Sequence, residues 1–298
     1  MIPAPHRFGS VALLGRPNVG KSTLLNALIG QKISIVSPRP QTTRHRILGI
    51  LTRPQAQIVF LDTPGLHSGR QRQLNRAMNR AALAALAEAD VIVLVTDARS
   101  FGDEDQAVLD HALAAGRPVV LALNKVDALR PRSRLLPALE ALAQRHTFAA
   151  LVPISAARGE SLDRLLAEIE KLLPEGAAAW PDDQVTDRSE RFLAAEIVRE
   201  RLMHALHDEL PYGVSVEIER WQESEGRTSI NAVIWVERDA QRRIVIGEGG
   251  ARIKGIGRAA RLALNELLGR RVHLELWVKV RENWADSEQA LRQFGYDS

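Results

Sequence analysis

GRPNVGKS, residues 15–22, stands between an apolar run, VALLG (11–15), and an amphipathic stretch over 21–30. The pattern G-x-x-x-x-G-K-[ST] between a predicted strand and a predicted helix is a phosphate cradle. Its glycines let consecutive backbone N–H groups turn toward phosphate oxygens, and the helix that follows adds the positive end of its dipole. Gly15, Arg16, Pro17, Asn18, Val19 and Gly20 are expected to form the loop, and Lys21, Ser22 and Thr23 to open the helix. Lys21 is expected to reach the β- and γ-phosphates, and Ser22 to coordinate Mg2+.

Outward from this loop, apolar runs alternate with amphipathic stretches as far as residue 173. IVFLD (58–62), VIVLVTD (91–97), VVLALN (119–124) and FAALVPIS (148–155) read as buried strands. Helical patterns lie at 21–30, 70–89, 103–115, 131–145 and 160–173. Alternating β and α units predict a mostly parallel sheet covered by helices on both faces. ILGILTR (47–53) and AQIVFLD (56–62), joined across Pro54, predict a hairpin and hence one antiparallel edge strand.

Two further motifs fall at strand ends. DTPG, residues 62–65, brings Asp62, Thr63, Pro64 and Gly65: the acid can hold Mg2+ through water, and the Gly65 N–H can bond a γ-phosphate. NKVD, 124–127, supplies Asp127, whose carboxylate can accept from the N1–H and 2-amino groups of guanine, a pair adenine lacks. Asn124 is expected to brace the loops and the Lys125 stem to cover the base plane. Ser155 and Ala156 stand where a backbone N–H could meet guanine O6. The nucleotide expected is therefore GTP or GDP. Between the phosphate loop and DTPG, SPRPQTTRHRI (37–47) reads as a switch segment whose threonine ligates Mg2+ only when a γ-phosphate is present, with Thr42 and Thr43 both candidates. Lys21, Thr43 and Gly65 are the catalytic candidates. Leu66 follows Gly65 where Ras-like enzymes carry a water-orienting Gln, so intrinsic turnover is expected to be slow. Asn18 is a candidate ligand for K+, which would supply charge as an arginine finger does, or is an Asn kept for the loop's backbone. His67 reads as an exposed switch-loop histidine.

LLPEGAAAWPDDQVTD (172–187) has no period and reads as a linker. The domains expected are 1–173, a linker at 174–188, and 189–298. The last part reads as a helix (189–209), a strand pair (213–221, 228–237), helices at 239–246 and 250–268, and a strand at 271–280. This α-β-β-α-α-β order is an α+β module. Within it RIVIGEGGARIKGIG (243–257) holds a G-x-x-G turn followed by basic helix residues. Small residues there let a nucleic-acid backbone pass close to two helix ends, as in KH modules. Ile246, Gly247, Glu248, Gly249, Gly250, Arg252, Lys254 and Arg258 are the RNA candidates in this stretch, with Arg252 and Lys254 expected to carry phosphate because the Glu248 carboxylate repels it. Lys279 is added from the closing strand. Trp284 either stacks on a base or packs its own domain.

Charge agrees with this division. Residues 1–180 hold 22 Lys+Arg against 15 Asp+Glu, whereas 242–281 hold 10 against 3 within an otherwise acidic second part. A locally basic face in an acidic domain points to a polyanion partner. The 298-residue chain has no cysteine, which excludes disulfides, thiol catalysis and zinc ribbons, and no run approaches the roughly 18 apolar residues of a membrane span. The N-terminus lacks the pattern of a signal peptide, and a cytoplasmic protein is the simplest expectation.

With GRPNVGKSTLLNAL, QTTRHRILGI, DTPGLH, NKVD, VIGEGG and the tail VKVRENWADSEQALRQFGY in view, the chain resembles the Era family of ribosome-assembly GTPases over about residues 8–297. The resemblance implies an α/β P-loop GTPase domain followed by a type II KH domain. Similarity to the G-T-T-R pattern of related GTPases selects Thr43 as the switch ligand. The resemblance also implies binding near the 3′ end of small-subunit ribosomal RNA during assembly of the small ribosomal subunit, with loose association to the inner face of the membrane. A monomer is the default expectation.

Overall fold

The computed structural model describes residues 6–65, 72–206 and 213–296. By backbone contacts the chain divides into two compact units. The first comprises Met1–Ser34, Thr43–Ser68 and Met78–Asp187; the second comprises Ile35–Thr42, Gly69–Ala77 and Arg188–Ser298.

The first unit follows the alternation read from the sequence. Its elements in order are β1 (Arg7–Leu14), α1 (Lys21–Ile29), β2 (Ile47–Arg53), β3 (Ala56–Asp62), α2 (Gln73–Glu88), β4 (Val91–Asp97), α3 (Asp103–Ala114), β5 (Val119–Asn124), α4 (Leu135–Ala143), β6 (Ala150–Pro153) and α5 (Leu162–Leu172). By its range, the first turns of α2 fall in the second unit. The sheet runs β2-β3-β1-β4-β5-β6. The pairs β1/β3, β1/β4, β4/β5 and β5/β6 are parallel, and the hairpin pair β2/β3 is antiparallel. β3, β4 and β5 are buried along their whole length, which explains their continuous apolar runs. The helix expected over 70–89 is seen from Gln73, since 66–71 lie outside the described residues.

The stretch read as a linker is fastened to the first unit rather than loose. Ile50 N donates to Val185 O at 2.9 Å and Thr186 Oγ1 to Leu48 O at 2.7 Å, so residues 185–186 cover the outer edge of β2. The fully buried Gln57 side chain accepts from Ala179 N and Trp180 N and donates to Trp180 O. Trp180 packs on Val59, Leu61 and Ala85. Composition without a period hid this strap because its bonds are made by main chain, the Thr186 hydroxyl and one distant amide.

The second unit contains α6 (Glu190–Ala205), β7 (Val214–Ser224), β8 (Arg227–Val236), α7 (Asp239–Ile246), α8 (Ala251–Leu268), β9 (Arg271–Val280) and α9 (Glu288–Gln293). β7 and β8 pair antiparallel, and β8 and β9 parallel. α6 and α8 cover one sheet face, burying Val198, Leu202, Ile234, Ile256, Ala260 and Leu264. α6 ends at Ala205, short of the 209 expected; 207–209 lie outside the described residues. α9 was not expected: six residues are too few for a periodic signal to stand out.

Candidate functional site

The phosphate-binding motif falls where β1 gives way to α1. Gly15 and Gly20 are required by space as well as by backbone. A Cβ on Gly15 would meet Val95 O at 2.4 Å, and one on Gly20, at φ +101°, would meet Asn124 Nδ2 at 2.5 Å. Lys21 is buried and folds its ammonium back onto Gly15 O at 2.8 Å and Arg16 O at 3.2 Å. Burial lowers its pKa from 10.5 to about 8, against the attraction of Asp62. Burial also raises the Asp62 carboxyl above its usual value, opposed by Lys21 and by hydroxyl bonds from Ser22 and Ser34. Arg16 turns away from the loop to Asp105, its Nε lying 3.0 Å from both carboxylate oxygens.

Four hard oxygen donors converge beside Lys21. Ser22 Oγ lies 2.7 Å from Thr43 Oγ1 and donates to Asp62 Oδ2 at 2.7 Å, while Ser34 Oγ donates to the same oxygen at 2.9 Å. Asp62 Oδ1 is buried without a hydrogen-bond partner among the described residues. Clustered hydroxyls around a carboxylate with an unused oxygen fit Mg2+, which takes oxygen ligands and retains water. Thr43, not Thr42, reaches this cluster. The Thr42 hydroxyl is spent on Ser37 Oγ at 2.6 Å and Arg39 O at 2.7 Å. Thr63 is turned inward to Leu13 O, and a Cβ on Gly65 would lie 3.0 Å from the Pro17 ring and backbone nitrogen, so only glycine passes this close to the loop.

The base-reading motifs stand at the ends of β5 and β6. Asn124 donates through Nδ2 to Val19 O at 2.8 Å and accepts through Oδ1 from Ala156 N at 3.0 Å, bracing the phosphate loop against the 155–156 turn. Ser155 Oγ donates to Asp127 Oδ1 at 2.7 Å. That bond, ahead of the charges of Arg158 and Arg130, lowers the Asp127 pKa and keeps it an acceptor. Lys125 has φ +65° and stretches its ammonium to Asn18 O at 2.6 Å. Asn18 itself has φ +62°, a conformation Asn tolerates better than most residues, which is a backbone reason for its presence.

The segment 35–42, within the second unit, is held by buried charge on α6. Arg199 is 1% exposed and pairs with Glu196 through two bonds of 2.7 and 2.6 Å while donating to Thr42 O at 2.6 Å. Glu200 accepts from Val36 N at 2.9 Å, and His204 Nε2 lies 3.0 Å from Val36 O.

The G-x-x-G turn joins α7 to α8 with Gly247, Gly249 and Gly250 all at positive φ. Glu248 is exposed at its tip, and Ile246 is half-buried beneath it. Lys254 and Arg258 line an open groove of about 390 Å³ between α8 and β9, together with Ile253, Gly257, Arg261 and Leu276. Arg252 is instead drawn back to Ile244 O at 2.5 Å, where it caps the last turn of α7. One expected RNA residue is corrected. Trp284 is fully buried, donates to Gly213 O at 3.1 Å and packs on Phe294 and Tyr296, so it is a core residue and not a base platform. Lys279 stands on the face of β9 away from the helices, bonded to Glu219 at 2.6 Å, because Val278 and Val280 take the inward positions. Leu66 and His67 lie outside the described residues.

Residue patterns missed Ser34, Asp97, Glu196, Arg199 and Glu200. Ser34 meets Asp62 and Asp97 meets Lys125 across 28 positions, and the charges of Glu196, Arg199 and Glu200 read as a solvated helix face. A signal for Ser34 existed in Asn26, whose side-chain amide clasps Ile33 N, Ser34 N and Ser34 O.

Residues 10–125 match the family model described as "50S ribosome-binding GTPase", and 209–285 match the KH domain model. The chain is 54% identical over 296 residues to GTPase Era of Xanthomonas axonopodis pv. citri (strain 306), covering 99% of each chain. It is 53% identical over 293 residues to GTPase Era of Stenotrophomonas maltophilia (strain K279a), covering 98% of each. Among solved structures it is similar to a variant of Aquifex aeolicus Era bound to GDP.AlF4-, at 40% identity and a TM-score of 0.94, covering 98% of this chain and 100% of that one. It is similar at 40% identity and a TM-score of 0.95, with the same coverage, to Era in complex with MgGDPNP and nucleotides 1506–1542 of 16S ribosomal RNA.

Proposed function

Since this chain belongs to the Era family of GTPases, we propose that it is a GTP-hydrolysing switch that binds small-subunit ribosomal RNA near its 3′ end and acts in small-subunit assembly. Residues 1–173 carry the GTPase domain, 189–298 the KH domain, and 174–188 join them. The observation that carries the enzymatic reading is the pair of hydrogen bonds by which Asn124 donates to Val19 O and accepts from Ala156 N, which ties the phosphate loop to the base loop as one site. Lys21 meets the β- and γ-phosphates. Ser22, Thr43 and Asp62 would hold Mg2+, Asp62 through water, and the ion would screen phosphate charge. Asp127 accepts from guanine N1–H and the 2-amino group, and the Gly65 N–H bonds the γ-phosphate. Support for Mg2+ and for the RNA comes from the related Era solved with MgGDPNP and 16S RNA.

Lys254 and Arg258, in the groove beside the G-x-x-G turn, are the phosphate contacts on the RNA side, and Gly247, Gly249 and Gly250 let the RNA backbone approach. Leu66 has no hydrogen-bonding group to orient water, so turnover without a partner is slow. Asn18 would hold K+, which would offset phosphate charge. The family resemblance supports loose association with the inner face of the cell membrane, and no described helix is long and apolar enough to cross one. The protein acts as a monomer. The test is turnover of GTP and ATP by the purified chain with Mg2+ in K+ and in Na+ buffers. GTP alone is hydrolysed, faster in K+. Equal GTP and ATP rates overturn the guanine site, and equal rates in the two buffers remove K+. Retention of a 16S 3′-terminal fragment, and not of an unrelated RNA of equal length, tests the RNA reading.

A further inference from the structure

Asp97, the last residue of β4, lies in none of the nucleotide motifs, yet its carboxyl is only 4% exposed. Its carboxylate is gripped from two sides. Arg99 donates through Nε to Oδ1 at 2.9 Å, through Nη2 to Oδ2 at 2.7 Å, and through its backbone N to Oδ1 at 3.0 Å. On the other side, the Lys125 ammonium stands 3.1 Å from Oδ2. Burial by itself would raise this carboxyl, but the bonds from Arg99 and Lys125 outweigh it and hold it far below the usual carboxylate range.

The register explains why it meets Lys125. Asp97 pairs with Asn124 across β4 and β5, and Ala98 N donates to Asn124 O at 2.8 Å, so the residue after Asn124 emerges beside the Asp97 carboxylate. Lys125 leaves the strand at φ +65°, a left-handed conformation that costs a lysine about 1 kcal/mol. From there its ammonium reaches two anchors among the described residues: the carbonyl of Asn18 in the phosphate loop and the Asp97 carboxylate. A four-carbon stem fixed at its head and its root is a rigid strip; one with a free head sweeps many rotamers.

We propose that Asp97 is a positioning residue for guanine-nucleotide binding, holding the Lys125 head so that its stem is already laid out as the floor for the base. Arg99 completes the clamp from the solvent side. The inference rests on the reading of 124–127 as the base loop. It predicts that Asp97 acts on affinity through Lys125 alone, and equally on GDP and GTP, because the stem touches the base and not the γ-phosphate.

The experiment is a double-mutant cycle on the full chain, with Kd for fluorescent GDP and for a GTP analogue measured on wild type, Asp97→Asn, Lys125→Met and the double variant. Asp97→Asn keeps the size of the side chain, and Lys125→Met keeps an apolar stem without the charged head. Asp97→Asn is expected to weaken both nucleotides about 5- to 10-fold, the net scale of one hydrogen bond, and to add less than twofold once Lys125 is Met. A change below twofold in the single variant, or a double variant equal to the product of the singles, overturns the proposal, since a general structural role would persist without Lys125. Asp97→Ser runs the same cycle if Asp97→Asn does not fold. Asp127→Asn is measured in parallel against xanthosine diphosphate. Failure of that variant to exchange guanine for xanthine preference would overturn the base-loop reading itself, whatever the cycle shows.

Discussion

Replacing Lys21 with Met should abolish nucleotide binding and yet leave the nucleotide-free protein at least as stable. In the folded chain the ammonium is buried and its pKa falls from 10.5 to about 8. That drop corresponds to about 3 kcal/mol of unfavourable interaction for the charged form at neutral pH, at 1.36 kcal/mol per pKa unit. Against it stand the bonds to Gly15 O and Arg16 O, lost in the variant, at about 1 kcal/mol each. The net expectation is a variant more stable by about 1 kcal/mol at pH 7. A buried lysine with a depressed pKa also sets a pH dependence. Between about 8 and 10.5 the unfolded chain still holds the proton that the folded chain has released, so the Lys21 contribution to stability rises with pH. Below pH 8 both forms are protonated and the full penalty remains. Urea unfolding without nucleotide, at pH 7 and pH 9.5, on wild type and variant, measures this. The advantage of the variant should shrink toward zero at the higher pH, and added GDP should stabilise wild type only. A variant destabilised by more than 1 kcal/mol at pH 7, or an advantage that grows with pH, would refute the reasoning.

Arg199→Met leaves Glu196 and Thr42 O without their buried partner and should cost about 3–5 kcal/mol, whereas Arg199→Met with Glu196→Leu should recover part of that; tryptophan fluorescence follows it, since four of the five tryptophans lie in the second unit. Trp284→Ala should destabilise that unit by about 3–5 kcal/mol, read by the same melt. Arg258→Ala should weaken binding of single-stranded RNA and lower the slope of log K against log salt by about 0.7–1, while Lys279→Ala leaves both unchanged because it stands on the opposite face.

Much of the site was legible because its residues are local in sequence. The phosphate loop must be one strand–turn–helix connection for consecutive N–H groups to converge, so GRPNVGKS carries its own geometry. Asn124, Asp127 and Ser155 fall at strand ends because a parallel sheet gathers its C-terminal ends along one edge. The KH turn was legible for the same reason, its glycines being demanded by positive φ at Gly247, Gly249 and Gly250. The places of Trp284 and Lys279 were not legible because a residue type says nothing of the face it takes. Trp284 is drawn inward by Phe294 and Tyr296 in the tail, and Lys279 is turned away by the strand's alternation.

Period, composition and short motifs thus determined by themselves that this chain has an α/β nucleotide-binding part reading guanine and a KH part beyond it, since those properties depend on neighbours within a few residues. Tertiary structure alone decided that Ser34 joins Asp62, that the apparent linker covers the edge of β2, and that the Asp97 carboxylate meets Lys125, and it set Thr43, selected from similarity, against Ser22. Each of these is a pairing across tens of residues, made by the sheet register or by a loop folding back. The physical reason is that a hydroxyl or a carboxylate carries no mark in the sequence of the partner it will find.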